Sequence, residues 1–296
     1  MKYSSIPRKI YLIFNALVIG IITLSCLVPI LNVLATSFSS ASYINAGEVG
    51  IIPKGFTVSA YKFVMKDTRF WNSVWITVKR ILIGIPLNVF VTVLMAYPLS
   101  KSDHEFKARK YYVVFFMITM LFNGGLVPTY LLIYNLHMLD TIWALVLPGA
   151  ASVGNAIMLM NFFRNLPGAI EESALVDGAG QFTIMWRIIL PLSKPSLATI
   201  TLFSIVGTWN SWYDGLIYNN YTEHYPLQTY LQASVTAATE ASKTLTDIQD
   251  MLLRQTLNAR NLNAAKIFIS IVPLMCVYPF MQKHFAKGLV VGSVKG

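Results

Sequence analysis

The chain has 296 residues, of which 55% are hydrophobic and only 12% charged, and a formal net charge of +10. That is too apolar for an ordinary soluble domain of this length, so the chain belongs in a bilayer. The positive charge is no nucleic-acid footprint, because no basic stripe with interleaved aromatics accompanies it.

Apolar runs long enough to cross a membrane, for which about twenty residues suffice, lie at residues 11–35, 74–97, 111–134, 142–163, 196–218 and 264–285. They predict an all-α polytopic membrane protein with six transmembrane helices and both termini on one side. The N-terminal run has a basic start but exceeds a signal peptide's short apolar region, and no A-x-A-like site follows, so it reads as the first membrane helix. The loops on the side of the N-terminus hold Lys2, Arg8, Lys9, Lys101, Lys107, Arg109, Lys110, Arg164, Arg187, Lys194, Lys283, Lys287 and Lys295. The opposite loops are longer yet hold fewer, namely Lys54, Lys62, Lys66, Arg69, Lys243, Arg254 and Arg260. This bias places both termini in the cytoplasm. Cys26 and Cys276 fall inside spans, where two thiols imply neither a disulfide framework nor a metal site.

After span one, residues 36–70 form an external loop that ends in Phe70, Trp71 and Trp75, rings of the sort that anchor at the headgroup level. Lys79 and Arg80 then lie one to two turns inside span two, where a charge is expensive unless it reaches water, a partner or a ligand. Two readings stand: snorkelling from a deeper helix, or a cation facing a water-filled cavity that attracts an anionic or hydroxyl-rich substrate. Residues 101–110 form a short basic turn. In span three, Asn123-Gly124-Gly125-Leu126-Val127-Pro128 interrupts the helix, either as a broken helix lining a cavity or as a loop near the external surface. Span four ends in Asn155 and Asn161.

Residues 161–195 form a polar interruption between two apolar spans. Pro167 to Val176 suits a short helix, with Glu171 and Glu172 near its positive N-terminus. Asp177-Gly178 breaks it, and a second amphipathic segment follows with Phe182, Met185, Trp186 and Ile189 at helical spacing, ended by Pro191 and Pro195. The expectation is a helix, a glycine hinge and a helix along the membrane surface. Small Ser173 and Ala174 allow close approach of a partner there, and Glu171, Glu172 and Asp177 offer acceptors for its Arg or Lys.

Span five carries Thr208-Trp209-Asn210-Ser211-Trp212-Tyr213-Asp214. Aromatic faces stack on sugar rings while amides and carboxylates take hydroxyls, so Trp209 and Asn210 are pathway candidates; Trp212 and Tyr213 read as an interfacial belt. Residues 219–263 form a polar, largely helical external segment, too long for a tight turn and suited to contact a separate solute-binding protein or cover a pore. The last span holds Pro273 and Pro279 and ends in YPFMQKHFAKGLVVGSVKG.

Glu172-Ser173-Ala174, Gly178 and Ile188-x-Leu190-Pro191, at their spacing, closely resemble the EAA loop of binding-protein-dependent ABC importers, with Ser173 the one small-for-small departure. With FNGGLVPTY, WNSW, YPLQTYLQ and the C-terminal tail, nearly the whole chain resembles sugar-importer permeases of the maltose-transporter type, and their LplC-like oligosaccharide branch. The resemblance implies a type I ABC importer permease fold, a single transmembrane permease domain over 1–296. It implies a heterodimer with a second homologous permease subunit, two ATPase subunits and an extracytoplasmic solute-binding protein, in the bacterial cytoplasmic (inner) membrane. Glu171, Glu172, Ser173, Ala174, Asp177, Gly178 and Ala179 then couple to the ATPase, and Val291, Gly292 and Ser293 of the tail at 286–296 contact it. No G-x-x-x-x-G-K-[ST] occurs in the chain, so ATP and Mg²⁺ are expected on the partner ATPases and no cofactor or catalytic residue on this chain. The substrate expected from that branch is an oligosaccharide, including acidic, uronate-type fragments, with Lys79 or Arg80 on its path.

Three rival readings remain. A secondary transporter normally wants an intramembrane acid, and the acids here sit in loops or, like Asp214, near a span end. A membrane enzyme is disfavoured because His104, His137, His224 and His284 are scattered without metal-ligand spacing. An ABC importer for a non-sugar solute is compatible with the EAA-like loop alone.

Overall fold

The computed structural model describes the backbone of residues 6–244 and 259–293, and the side chains of 8–237, 259–277 and 279. In chain order the helices are α1 (Ile6–Ser37), α2 (Ala41–Asn45), α3 (Ser59–Lys66), α4 (Thr68–Ser100), α5 (Arg109–Leu121), α6 (Leu126–Asn135) and α7 (Ile142–Val146). There follow α8 (Val153–Arg164), α9 (Gly168–Val176), α10 (Gln181–Leu192), α11 (Lys194–Asn210), α12 (Tyr213–Tyr218), α13 (Leu227–Thr244) and α14 (Ala259–Ser293). Among the described residues there is no strand.

Among those residues three stretches, Arg8–Ser37, Thr68–Ser100 and Ala259–Val277, are long and apolar enough to cross a membrane alone. Two bent pairs join them if each pair counts as one span: α5 with α6, bent by 106°, and α10 with α11, bent by 81°. Against the six spans expected from the sequence, the described residues hold three by length and hydropathy, or five with the bent pairs. Span three breaks at residues 122–125, where Gly125 adopts φ 89°, a backbone state that costs a residue with a Cβ about 1 kcal/mol or more. Asn123 Oδ1 accepts the N–H of Gly125 at 2.9 Å and so closes the turn. Span four breaks as well: α7 stops at Val146, Pro148 and Gly149 interrupt the backbone, and α8 starts at Val153 with the Ser152 hydroxyl accepting the N–H of Asn155.

The chain falls into two compact units. One comprises residues 1–70 and 231–272. Within it, the Asn261 amide donates to the carbonyls of Thr36 at 2.9 Å and Ser39 at 2.8 Å and so ties the start of α14 to the end of α1 and the turn after it. Lys266 Nζ meets Asp67 Oδ2 at 3.0 Å, and the other Asp67 oxygen accepts the N–H groups of Arg69 and Phe70, capping α4. Phe70, expected at the headgroup level, is fully buried, whereas Trp71 and Trp75 are exposed. The most apolar stretch of α1 has no buried residue within this chain, so lipid or another subunit must cover it.

The other unit comprises residues 71–230 and 273–296. Its main core gathers Val93, Ala96, Leu159, Phe163, Ile184 and Ile200. A smaller cluster joins Ile133, Ala144, Leu145 and Tyr218. Gly215 lets the loop before α13 approach α12: a Cβ there would lie 2.1 Å from Thr229 Oγ1 and 2.8 Å from Pro226 Cδ.

Candidate functional site

Two places in the second unit carry chemistry. The first is a cavity of about 300 Å³ whose polar lining is Arg80, Asn88, Ser152, Asn155, Ser204 and Thr208. Asn88 lies two turns beyond Arg80 on α4. Its amide donates to the carbonyls of Gly149 at 3.0 Å and Ala150 at 3.1 Å, the backbone that the break in span four strips of helical partners. Its oxygen accepts from Ser204 Oγ at 2.9 Å, and Ser204 in turn accepts from Asn155 Nδ2 at 3.0 Å. A side-chain network from three helices thus satisfies irregular backbone at membrane depth, which is tolerated only where protein or water does so.

Arg80 is buried, at 7% of its free exposure. Its Nη2 pairs with Asp214 Oδ2, while Nε and Nη1 are buried with no partner. Asp214 is held in turn: its second oxygen accepts from Ser211 Oγ at 2.7 Å and the N–H of Gly215 at 2.9 Å. Two of the three guanidinium nitrogens are thus buried donors without a partner in the chain, and the acceptors that would satisfy them are those of a carboxylate or a set of hydroxyls.

The second place is α9 and the turn that ends it. The N–H of Gly178 bonds the carbonyl of Leu175 at 3.0 Å and that of Ala179 bonds Ala174 at 2.9 Å, with Gly178 at φ 81°. These two bonds are the Schellman pattern, for which glycine is the residue of choice. Ala179 packs against the main core to which Ala174 belongs. The outer face of α9 carries Glu172, Ser173, Leu175, Val176 and Asp177, with Val176 87% exposed.

The inner face is held by the end of α4. Lys101 Nζ pairs with Glu171 Oε1 and sits 4.3 Å from the centre of the Tyr97 ring. The Tyr97 hydroxyl donates to Gln181 Oε1 at 2.7 Å and lies 3.3 Å from Glu171 Oε1. Burial pushes the Lys101 ammonium below its ordinary range, and the Glu105 carboxylate acts against that. Glu105 itself is held below the usual carboxylate range by the Ser102 hydroxyl at 2.6 Å and the Ser102 N–H at 2.9 Å.

No protein-family model matches the chain. Over 288 residues it is 38% identical to Protein LplC of Bacillus subtilis, an alignment covering 97% of this chain and 96% of that one. It is 36% identical over 287 residues to the polygalacturonan/rhamnogalacturonan transport system permease protein YtcP of the same species, covering 96% and 99%. Among solved structures it superposes at a TM-score of 0.85 and 31% identity on a chain of a bacterial ABC transporter involved in the import of the acidic polysaccharide alginate, covering 96% of this chain and 100% of that one. The chain belongs to the sugar-importing ABC permeases. This permease is accordingly a multi-pass transport component and not an enzyme, which sets aside the secondary-transporter and membrane-enzyme readings.

The permease places its sequence-predicted residues unevenly. Arg80 lines the cavity; Lys79 is exposed and does not. Trp209 is buried with its indole N–H unpartnered, Asn210 is exposed, and neither lines the cavity, to which their neighbours Gly207 and Thr208 belong. In the loop, Glu172, Ser173, Asp177 and Gly178 are exposed. Ala174, expected to admit a partner, is buried in the chain's own core, and Glu171 is taken by Lys101. The face expected on the second loop helix is split, because a π-turn at Met185–Ile189 rotates it: Met185 and Ile189 are buried, Phe182 and Trp186 exposed. Val291, Gly292 and Ser293 close α14, and their side chains lie outside the described residues. Sequence reasoning missed Asn88, Ser204, Tyr97, Lys101 and Gln181. None belongs to a motif, although an Asn one helical face from an intramembrane Arg was a readable signal.

Proposed function

We propose that this permease forms half of the import path for oligosaccharides that bear carboxylates, and that its EAA-like loop couples the path to ATP hydrolysis on partner subunits. The assembly is a heterodimer with a second permease subunit, two ATPases that hold ATP and Mg²⁺, and an extracytoplasmic solute-binding protein, in the bacterial cytoplasmic membrane with both termini in the cytoplasm. The observation that carries the substrate class is Arg80, a buried guanidinium on the wall of a partly polar cavity, with two nitrogens that have no partner in the chain. A uronate carboxylate supplies the acceptors that those donors lack. The names of YtcP and of the alginate importer point the same way. The coupling role is supported by the outer face of α9, where acceptors at Glu172 and Asp177 flank exposed Leu175 and Val176 on a helix stiffened from behind.

The test is ATPase activity of the assembled complex in lipid, with oligogalacturonates or neutral oligosaccharides delivered by the cognate binding protein. Stimulation by the acidic series is expected, reduced about tenfold in Arg80→Gln, as the loss of one charged hydrogen-bond partner implies. Gly178→Asp is expected to abolish stimulation altogether. Acidic stimulation that survives Arg80→Gln refutes the substrate assignment; sugar-stimulated hydrolysis and import that survive Gly178→Asp refute the coupling assignment.

A further inference from the structure

Glu171 faces the body of its own chain, and what holds it is the end of the same helix that carries Arg80. From Arg80 to Tyr97 α4 is one continuous helix with Pro86 inside it, a contour of about 26 Å at the rise of an α-helix. At that end, contacts grip both sides of the Gly178 turn. Lys101 holds Glu171 before it, and the Tyr97 hydroxyl holds Gln181 after it, at 2.7 Å. Lys101 is buried and Glu171 half-buried, their side chains keeping 8% and 21% of their exposure, while Gln181 is exposed. Its root is fixed as well: Arg109 Nε donates to the carbonyl of Leu99 at 2.8 Å, where α4 would otherwise end in open acceptors.

We propose that the Lys101–Glu171 pair, seated on the Tyr97 ring, is the joint through which α4 and the coupling helix move as one body, linking the Arg80 cavity to the ATPase surface. This rests on the coupling role proposed above. Apolar contacts between Ala96, Tyr97, Ala174 and Ile184 are non-directional and permit sliding. A charge pair with one buried end and a hydrogen-bonded neighbour fixes register, because leaving the buried Lys101 ammonium unpaired is expensive. Lys101 and Tyr97 are positioning residues: they touch neither substrate nor ATPase in this reading, and act through Glu171 and Gln181.

The experiment compares wild type, Lys101→Met and Lys101→Arg in the complete reconstituted transporter. With oligogalacturonate as the probe, Lys101→Met is expected to keep its ATP hydrolysis while import per ATP falls about fivefold or more, the low end of a coupling free energy. Lys101→Arg is expected to retain import. A second arm needs no substrate: spin labels at Lys107 and Ala169, both exposed and neither on the proposed docking face, on a Cys26→Ser, Cys276→Ser background, report their separation in the nucleotide-free and vanadate-trapped states. One separation shared by both states is expected in wild type and a state-dependent one in Lys101→Met. A wild-type separation that changes between states overturns the proposal, as does a Lys101→Met transporter with wild-type separations. If Gly178→Asp uncouples and Lys101→Met does not, the joint alone fails; if neither uncouples, the coupling role of the loop fails with it.

Discussion

Replacing Asn88 with Leu probes how this permease affords a broken helix inside the membrane. The change keeps the branched shape and the number of heavy atoms but deletes the donor to Gly149 and Ala150 and the acceptor for Ser204. A buried group stripped of its partner costs about 1–3 kcal/mol. Gly149 and Ser204 line the cavity, where water can replace the lost bonds at small cost, whereas Ala150 does not line it and bears the penalty in full. The sum is about 2–3 kcal/mol, which at about 2–4 °C per kcal/mol lowers the unfolding midpoint by about 4–12 °C. Intrinsic fluorescence on heating the detergent-solubilised permease measures it. Asn88→Asp sets the order, because it keeps the acceptor, loses both donors and faces two carbonyls with a charge; it should be worse than Leu. An Asn88→Leu midpoint within a degree of wild type, or an Asp variant more stable than the Leu variant, refutes the argument that Asn88 holds this break.

Gly215→Ala should destabilise by about 1–3 kcal/mol through overpacking, since its Cβ meets Thr229 Oγ1, which donates to the carbonyl of Trp212 at 2.7 Å. A combined Gly215→Ala, Thr229→Ala variant that unfolds no later than the sum of the single changes predicts would count against that steric cause. Asp140 supplies a pH test in the loop between α6 and α7. Burial acts to raise its pKa, but hydrogen bonds from the Asn220 side chain at 2.8 Å, the Asn220 N–H at 2.6 Å and the Tyr221 N–H hold the carboxylate below its ordinary range. A depressed carboxylate adds stability above the unfolded value, about 3.9 for Asp, and loses it as pH falls through the folded value. The stability advantage of wild type over Asp140→Asn should therefore be full at neutral pH and shrink below about pH 4; an advantage that is flat down to pH 2 contradicts the assignment.

The one-dimensional pattern of this permease determined what local rules govern. Hydropathy placed the chain in a bilayer, Asp177-Gly178 marked the end of α9, and Asn123-Gly124-Gly125 marked a break, because positive φ is least costly for a residue without a Cβ wherever it sits. The spaced EAA-like elements pointed to the family for the same reason: they are close in sequence. Ser102 and Glu105, in S-x-x-E spacing, carry a reciprocal cap that the same local logic predicts and that sequence reading passed over as an ordinary basic turn.

What only the tertiary structure decided were the pairings between residues far apart in the chain. Arg80 meets Asp214, Asn88 meets Ser204 and Gly149, and Lys101 meets Glu171. Periodicity says which residues share a face of one helix, but not which face of which helix answers it. That is why Lys79 and Arg80, adjacent in sequence and equal in charge, were inseparable until a helical step of about 100° put one in the cavity and left the other exposed. Ala174 and Glu171 turned inward for the same cause. A short helix has two faces, and the core it packs on chooses between them.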